Sequence, residues 1–243
     1  MALNDFFKKY FLFLFFAVAV CVLTIIYYFY NEVFQGYLYL RSSSFHLVYD
    51  HVKIVLISSL LSVITGIGAG VLVTRKSGRD FLPGINTLAS FGQTFPPVAV
   101  LALCVPFAGF GFKPTIIALT VYGIFPVLRS TAAGLESVSA DLLEAAEGMG
   151  MNRIQILYKI EIPLAAGIIM GGVRISVIIN TGTAALGATI GAGGLGAPIV
   201  SGLVTENFFY VLHGGLLVGC LAVLTDRLIE RAEVLISRHE RKY

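Results

Sequence analysis

The 243-residue chain is 57% hydrophobic and 13% charged, with a mean hydropathy of +0.86, whereas soluble domains carry about a quarter charged residues, so a soluble globular protein is excluded. Several apolar runs are long enough for the roughly 20 residues of a membrane-spanning helix and lack the alternation of barrel strands. We therefore predict an all-α integral membrane protein with about six transmembrane helices. The net charge of +3 does not indicate nucleic-acid binding, because most basic residues stand at the ends of apolar runs.

The first apolar run, residues 10–30, predicts a membrane anchor. A signal peptide is the alternative, but the run exceeds the ~7 to 15 apolar residues of such a peptide and lacks a small-residue cleavage site. Residues 31–49 are polar and contain several tyrosines, which suits an external connector at the membrane interface. The second span is predicted from about Val52 to Thr74. Within it, Gly66 and Gly70 either let another helix approach closely or merely loosen the helix.

The third apolar run, from Phe81 to about Phe107, is interrupted by the sequence SFGQTFPP at residues 90–97. Two adjacent prolines remove two backbone donors and disfavour helix at the residue before them, so this span is predicted to be kinked or broken. Broken helices inside a membrane persist only where they are buried in protein or line a cavity. A structural kink and a translocation path are therefore both open. The residues that would line such a path are Phe91, Gln93, Thr94, Phe95 and Pro96.

Three further spans are predicted, over about Lys113 to Arg129, from Pro163 onward, and over about Phe208 to Leu224. The outer half of the fifth, residues 180–189, is rich in small and hydroxyl side chains, which either pack helices tightly or line a path for a polar solute. Residues 191–196 fit the G-x-G-x-x-G pattern of dinucleotide-binding proteins, but no strand precedes them, so we reject a nucleotide site. The candidates for path lining in the fifth span are Asn180, Thr181 and Thr183.

A polar island between the fourth and fifth spans, Asp141 to Pro163, carries its own helix signals. Asp141 followed by Glu144 predicts an N-cap with its capping partner, which would begin a short helix. Gly150 suits the left-handed residue that ends this helix, and a second start follows at Asn152. Pro163 is then expected at the first position of the fifth span. Spacing alone leaves two interpretations open, an ordinary cytoplasmic loop and a docking site for a soluble partner.

The chain shows no sequence pattern for chemistry of its own. No acidic residue falls deep inside a predicted span, which argues against a carrier driven by protons or sodium ions. The P-loop pattern G-x-x-x-x-G-K-[ST] is missing, so any ATP hydrolysis would reside on a separate subunit. The four histidines are scattered, and His213 in the sixth span is interpreted as a packed residue. We expect no catalytic centre, no cofactor and no metal site.

Most basic residues fall on one side if both termini are cytoplasmic, with Arg41, Lys53 and Lys113 outside, which is the arrangement that the positive-inside rule favours. Arg174 is the exception, because it stands eleven residues beyond Pro163 and so about 16 Å along the fifth span. A charge near mid-membrane costs on the order of 2.5 to 3.5 kcal/mol without a partner. We expect Arg174 either to tie helices together, through backbone carbonyls or a carboxylate near a span end, or to act in gating.

The polar island resembles the EAA signature of the membrane subunits of bacterial ATP-binding-cassette (ABC) importers, which reads E-A-A, three residues, G, nine residues, I-x-L-P. Here Ile162 replaces the usual leucine with a side chain of equal volume. In that family the segment, residues 141–163 in this chain, forms the coupling helices that seat in a groove of the cytoplasmic ATPase. The coupling residues that the resemblance implies are Glu144, Ala145, Ala146, Gly150, Ile160 and Pro163.

From His51 onward the chain also resembles the permeases of glycine betaine, carnitine and choline importers. The stretches that carry this resemblance are residues 93–96, 126–129, 144–150, 180–183 and 190–196. It implies the type I importer permease fold (MetI-like) over residues 51–243, after an anchor and connector at residues 1–50, in the bacterial inner membrane.

The implied assembly has two membrane subunits, identical or homologous, two cytoplasmic ATPase subunits and an extracytoplasmic binding protein that delivers a quaternary ammonium solute. Methionine-importer permeases share a similar glycine-rich stretch, so a methionine-type permease is an alternative. A secondary carrier or channel for small polar solutes and a membrane-embedded enzyme are the alternatives from other classes.

Overall fold

The computed structural model describes residues 38–75, 78–81, 83–85, 87, 92 and 94–240. All the elements that it assigns in these residues are helical, which confirms the all-α prediction. The α-helices are α1 (Leu38–Thr74), α2 (Pro97–Ala108), α3 (Phe112–Glu136), α4 (Ala140–Gly148), α5 (Arg153–Ile156), α6 (Ile162–Thr183), α7 (Gly196–Val204) and α8 (Phe208–Glu240). Tighter or wider turns join some of them, namely 3₁₀ helices at Arg79–Phe81 and Ala184–Ile190 and a π-helix at Leu157–Glu161.

Four helical runs in the described chain are long and apolar enough to cross a membrane: Phe45–Thr74, Phe112–Glu136, Arg153–Ile190 and Phe208–Glu233. They correspond to the predicted second, fourth, fifth and sixth spans. The apolar helix of the third predicted span, Pro97–Ala108, is shorter. The predicted first span lies outside the described residues.

Several helices extend beyond the predicted apolar runs. Helix α1 begins at Leu38, so residues 38–49, which we assigned to the external connector before the second span, are part of the same helix as that span. Helix α3 continues past Arg129 to Glu136, and α8 continues past Leu224 to Glu240. Composition marks where a chain leaves an apolar environment, whereas a helix continues through serine or charged residues at a cost of only a few tenths of a kcal/mol each.

The chain divides into two compact units whose boundaries fall inside helices. The first comprises the described residues of Met1–Ile57 together with Leu101–Ile117 and Thr181–Thr225. The second comprises the described residues of Ser58–Val100, Ala118–Asn180 and Asp226–Tyr243. The coupling segment, residues 141–163, lies entirely within the second unit.

Glycines let α1 pack closely against α3 in the second unit. A Cβ atom added at Gly66 would lie 2.7 Å from the Cβ of Val127, and one added at Gly70 would lie 2.5 Å from the Cβ of Thr131. Both distances are too short for real side-chain contacts. The prediction that these small residues admit a neighbouring helix is therefore confirmed, and the alternative that they only loosen α1 is not needed.

Candidate coupling segment and translocation path

The first helix of the coupling segment begins earlier than predicted. Helix α4 starts at Ala140 with Ser139 in the extended N-cap position, and no side chain caps it by a hydrogen bond. The expected cap at Asp141 with Glu144 as its partner is therefore wrong. Asp141 instead lies within the first turn, where its negative charge is favourable beside the partial positive charge of the helix N-terminus.

The joint between the two short helices agrees with the prediction. Gly150 has φ +77°, in the left-handed region, immediately after α4 and its C-cap at Met149. Asn152 then caps α5, because its Oδ1 accepts from the Gln155 N–H at 2.9 Å and its own N–H donates to Gln155 Oε1 at 2.8 Å. The second start predicted at Asn152 is confirmed, and both cap groups are satisfied reciprocally.

Pro163 is the second residue of α6, so the α-helix begins within one residue of the predicted start. The helix is not separate from the preceding segment, because residues Arg153–Ile190 form one continuous helical run in which Ile162 follows the π-helix Leu157–Glu161. A proline has no N–H to donate one turn back, so it breaks the regular hydrogen-bond ladder at this point. The wider π turn lies just before that break, so the chain is helical on both sides of the α6 start.

The candidate coupling residues differ in how far they are available to a partner. Glu144, Ala145 and Gly150 are exposed, and Ile160 and Pro163 are half-buried. Ala146 is 1% exposed, so its small side chain packs inside the chain and is not offered to an ATPase. The expectation that both alanines lie at the contact is corrected for Ala146.

The coupling segment also exposes large apolar side chains, although it is a polar island in the sequence. Met149 is 72% exposed and Tyr158 is 66% exposed, and Leu142 and Ile154 are exposed as well. Exposed groups of this kind next to charged residues are typical of a docking surface for another protein. The charges are unevenly distributed, since the exposed acidic residues Asp141, Glu144 and Glu147 lie on α4 and the exposed basic residues Arg153 and Lys159 lie after Gly150.

An ion pair that the sequence analysis did not anticipate holds the end of the coupling segment. Arg75 donates from Nη2 to Glu161 Oε2 at 2.8 Å and from Nη1 to Glu161 Oε1 at 3.2 Å. The Glu161 side chain is 8% exposed and that of Arg75 is 34% exposed. Eighty-six residues separate the two partners, so no local pattern indicates the pair.

The candidate path residues of the third span are only partly described. Thr94, Phe95 and Pro96 are exposed, and α2 begins immediately afterwards at Pro97. Phe91 and Gln93 lie outside the described residues. The predicted interruption is thus seen at its C-terminal side, where the chain enters a helix at the second proline, a first helical position that needs no N–H donor.

The polar stretch in α6 is largely buried. Asn180 is 0% exposed, and its Nδ2 donates to Ser59 Oγ of α1 at 3.1 Å. Its Oδ1 has no partner among the described residues. The oxygen and the nitrogen of a buried side-chain amide normally both form hydrogen bonds. The Asn180 Oδ1 is therefore an unsatisfied acceptor in the described part of the second unit.

His51 organises the glycine-rich stretch in the first unit. It is 0% exposed, and its Nε2 lies 3.0 Å from the carbonyl oxygen of Thr181. The Leu195 N–H donates to its Nδ1 at 3.3 Å. These two contacts fix the tautomer with the proton on Nε2. Thr181 is fully buried and Thr183 is half-buried.

The glycines of residues 191–196 have backbone roles in the first unit. Gly193 and Gly194 have φ values of +77° and +75°, and a Cβ added at Gly194 would lie 3.2 Å from His51 Nδ1. A Cβ added at Gly196 would collide with the carbonyl oxygen of Ala185 at 1.9 Å. The turn therefore needs glycine for its conformation and its close packing.

Arg174 pairs with carboxylates of α8. Its Nη2 donates to Asp226 Oδ2 at 2.9 Å, its Nε donates to Asp226 Oδ1, and its Nη1 lies 3.8 Å from Glu233 Oε2. Such a carboxylate partner is what the structural interpretation expected. Both partners lie in the second half of α8, which carries its charged residues. The depth of Arg174 in the membrane stays a prediction.

Comparison with known proteins identifies the family. The family described as "Binding-protein-dependent transport system inner membrane component" matches residues 62–236. The chain is 39% identical to the choline transport system permease protein OpuBB of Bacillus subtilis over 76% of this chain and 84% of that protein. It is 36% identical to the osmoprotectant import permease protein OsmY of Salmonella typhimurium over 74% of this chain and 76% of that protein.

Similarity to solved structures supports the same fold. The chain matches one chain in a structure of the MetNI methionine ABC transporter in an inward-facing conformation, with a TM-score of 0.71 and 22% identity, over 79% of this chain and 94% of that one. A crystal structure of an amino acid ABC transporter with histidines matches with a TM-score of 0.62 and 16% identity, over 86% and 98%. With the family match and the curated relatives, these observations show that the chain belongs to the inner-membrane components of binding-protein-dependent transport systems, the permease subunits of ABC importers.

Proposed function

We propose that the chain is the permease subunit of an importer for a quaternary ammonium osmoprotectant such as choline, glycine betaine or carnitine. The observation that carries this proposal is the sequence identity to permeases named for these solutes, which extends over about three quarters of the chain. The similarity to a methionine transporter is a likeness of fold at 22% identity. It therefore does not outweigh the closer sequence relatives.

In the proposed assembly, ATP is hydrolysed by cytoplasmic ABC ATPase subunits and this chain is not catalytic. The coupling segment supports this arrangement, because Glu144, Ala145 and Gly150 are exposed beside apolar side chains that a partner groove would cover. A second permease, identical or homologous, and an extracytoplasmic binding protein complete the transporter. Both termini are cytoplasmic, which puts the coupling segment on the side of the ATPase.

The candidate path residues of the broken third span belong to the second unit. They are the exposed Thr94, Phe95 and Pro96, together with Phe91 and Gln93. The candidate residues of α6 are Asn180 in the second unit, and Thr181 and the half-buried Thr183 in the first. Because Asn180 and Thr181 are fully buried, they position helices in this conformation and contact solute only if the helices move.

Reconstituted transport tests the proposal. The permease with its ATPase and binding protein is placed in proteoliposomes, and uptake of radiolabelled choline, glycine betaine, carnitine and methionine is measured with ATP supplied to the ATPase side. We expect ATP-dependent uptake of at least one quaternary ammonium solute and no uptake with a hydrolysis-deficient ATPase. Uptake of methionine alone would replace the proposed substrate class, and uptake that persists without ATPase would indicate a carrier or channel.

A further inference from the structure

The cytoplasmic end of α1 is joined to the end of the coupling segment by a two-bond ion pair. Arg75, the residue after the last helical residue of α1, holds both carboxylate oxygens of Glu161, at 2.8 and 3.2 Å. The Nε of Arg75 also donates to the carbonyl oxygen of Val71 at 3.3 Å. A guanidinium fixed at three points presents a rigid planar fork, so the pair defines an orientation as well as a distance.

Apolar packing reinforces the same junction. Leu157, the first residue of the π turn, packs against the cluster formed by Leu135, Ala165 and Ile169, as do Ile67 and Val71 of α1. Glu161 is the last residue of this π turn. The π turn is therefore held at its start by an apolar cluster that α1 shares and at its end by the guanidinium of Arg75.

The junction lies at an irregular part of the long helical run. The π turn departs from the regular α-helical hydrogen-bond pattern, and Pro163 removes a backbone donor two residues after Glu161. A displacement of α4 and α5 by a partner protein would be absorbed by bending at this turn if nothing tied the turn to another helix. Arg75 supplies such a tie.

The tied helix extends to the candidate path. Ser59, about 24 Å along α1 from Arg75, accepts the hydrogen bond from Asn180 at the outer end of α6. All four side chains belong to the same compact unit. A rotation or shift of the coupling segment that moves Glu161 would thus act on the helix that also carries Ser59, the hydrogen-bond partner of Asn180.

We propose that Arg75 and Glu161 are a positioning pair that makes α1 follow the coupling segment, so that docking and movement of the ATPase reach the wall of the translocation path. This inference rests on the proposed function as an ATP-driven permease. Neither residue is one of the candidate path residues. Their role is to prevent the π turn from absorbing the movement.

Amide variants test the pair with little change in side-chain shape. Arg75→Gln leaves the buried Glu161 carboxylate without its charged partner, whereas Glu161→Gln leaves Arg75, which is one-third exposed and reaches water. The double variant Arg75→Gln/Glu161→Gln removes both charges, so neither residue is left as a charge without its partner, and the two amides can form a hydrogen bond. Glu136→Gln, the same change at an exposed residue of α3, is the matched control.

Three quantities are measured on each purified complex in proteoliposomes: the amount of ATPase that co-purifies, the ratio of ATP hydrolysis with and without liganded binding protein, and choline and glycine betaine uptake. We expect Arg75→Gln to co-purify normally, to hydrolyse ATP without stimulation and to lose about tenfold or more of its uptake. Glu161→Gln should lose less. The double variant should be no worse than Arg75→Gln, because the two changes remove one shared interaction.

The outcomes separate this inference from the proposed substrate. If the wild-type complex shows binding-protein stimulation but takes up neither solute, the substrate is wrong and the stimulation ratio still reports on the pair. Stimulation ratios in both single variants equal to that of Glu136→Gln would overturn the inference. The inference would also be overturned if the fold-losses of uptake in the two single variants multiplied in the double variant, because the two residues would then act independently. It would equally be overturned if each variant lost folded protein and coupling in equal proportion, since the pair would then serve folding alone.

Discussion

Arg174 of α6 and Asp226 of α8 form a two-bond ion pair in which the guanidinium edge meets both carboxylate oxygens. Glu233, about two helical turns farther along α8, has its Oε2 atom 3.8 Å from Nη1 of the same guanidinium. The three side chains are between one-quarter and one-third exposed. Partial exposure makes the pair weaker than a fully buried one, for which loss of one partner costs about 3 to 5 kcal/mol, and stronger than a surface pair at about 0 to 1 kcal/mol.

Arg174→Gln is therefore expected to lower the free energy of unfolding by about 1 to 2 kcal/mol, between those two limits. The thermal unfolding midpoint in detergent measures it, and a drop of a few degrees is expected for a chain of this size. Arg174→Lys should lie between glutamine and wild type, because an ammonium keeps the charge and loses the two-bond geometry.

The same variant tests the gating hypothesis for Arg174. If the ion pair is only structural, Arg174→Gln complexes that assemble should transport at the wild-type rate. If the pair opens during transport, uptake and nucleotide response should fall in complexes that assemble normally. Wild-type stability together with wild-type transport would remove both roles.

Gly150 and Gly148 provide a pair of matched alanine substitutions two residues apart. Neither added Cβ would have a neighbour within 4 Å, but Gly150 has φ +77° and Gly148 is the last residue of α4. Gly150→Ala should destabilise the segment by about 1 kcal/mol through backbone strain, whereas Gly148→Ala should be neutral or stabilising by up to about 1 kcal/mol. Thermal unfolding of the two variants should shift in opposite directions.

The coupling role makes a separate prediction for Gly150→Asp. Besides the strain, this change places a charge at the exposed joint between the two short helices, so it should uncouple ATP hydrolysis from uptake. Gly150→Asn is the control, since asparagine tolerates the left-handed conformation and brings no charge. Unchanged assembly and unchanged solute-stimulated ATP hydrolysis in Gly150→Asp would contradict the prediction.

The uneven charge of the coupling segment predicts the electrostatics of its partner groove. The exposed acidic side chains on α4 should face basic residues of the ATPase, so Glu144→Lys should weaken co-purification of the ATPase. The effect should be largest at low ionic strength, where such attraction is least screened. Glu136→Lys, the same exchange on α3, should leave binding and its salt dependence unchanged. An equal loss in both variants would assign the effect to net charge alone.

Local sequence signals predicted the local structure of the coupling segment well. The left-handed residue at Gly150 and the reciprocal cap of Asn152 with Gln155 each depend on side chains within a few positions, and both were predictable. The cap at Asp141 was wrong because Ser139 already occupies the N-cap position, so that Asp141 falls in the first turn. The α-helical start predicted at Pro163 lies one residue earlier, at Ile162, and the π turn that makes it continuous with the preceding helix was not predicted.

The contacts that hold the end of the coupling segment in the second unit and the glycine-rich stretch in the first unit are long-range and leave no periodic signal. Arg75 and Glu161 are 86 residues apart, and His51 meets Thr181 and Leu195 from 130 and 144 residues away. Composition explains why these segments are helical and apolar. It does not indicate which buried polar group finds which partner, because any of several helix arrangements would satisfy the same apolar pattern.

The contacts of His51 in the first unit lead to the last prediction. His51→Ala removes the acceptor of the Leu195 N–H and the donor to the Thr181 carbonyl oxygen. Leu195 is only 1% exposed, so water does not replace the lost acceptor. An unsatisfied buried polar group costs about 1 to 3 kcal/mol, so the thermal midpoint should fall by several degrees.

Gly194→Ala should lower the thermal midpoint too, because its Cβ would press on His51 Nδ1 at 3.2 Å and would strain a residue with φ +75°. Gly191→Ala carries the backbone strain alone, since φ there is +82° and no atom lies within 4 Å of its Cβ. We therefore expect Gly194→Ala to be less stable than Gly191→Ala, and equal midpoints would show that the turn does not depend on its packing against His51.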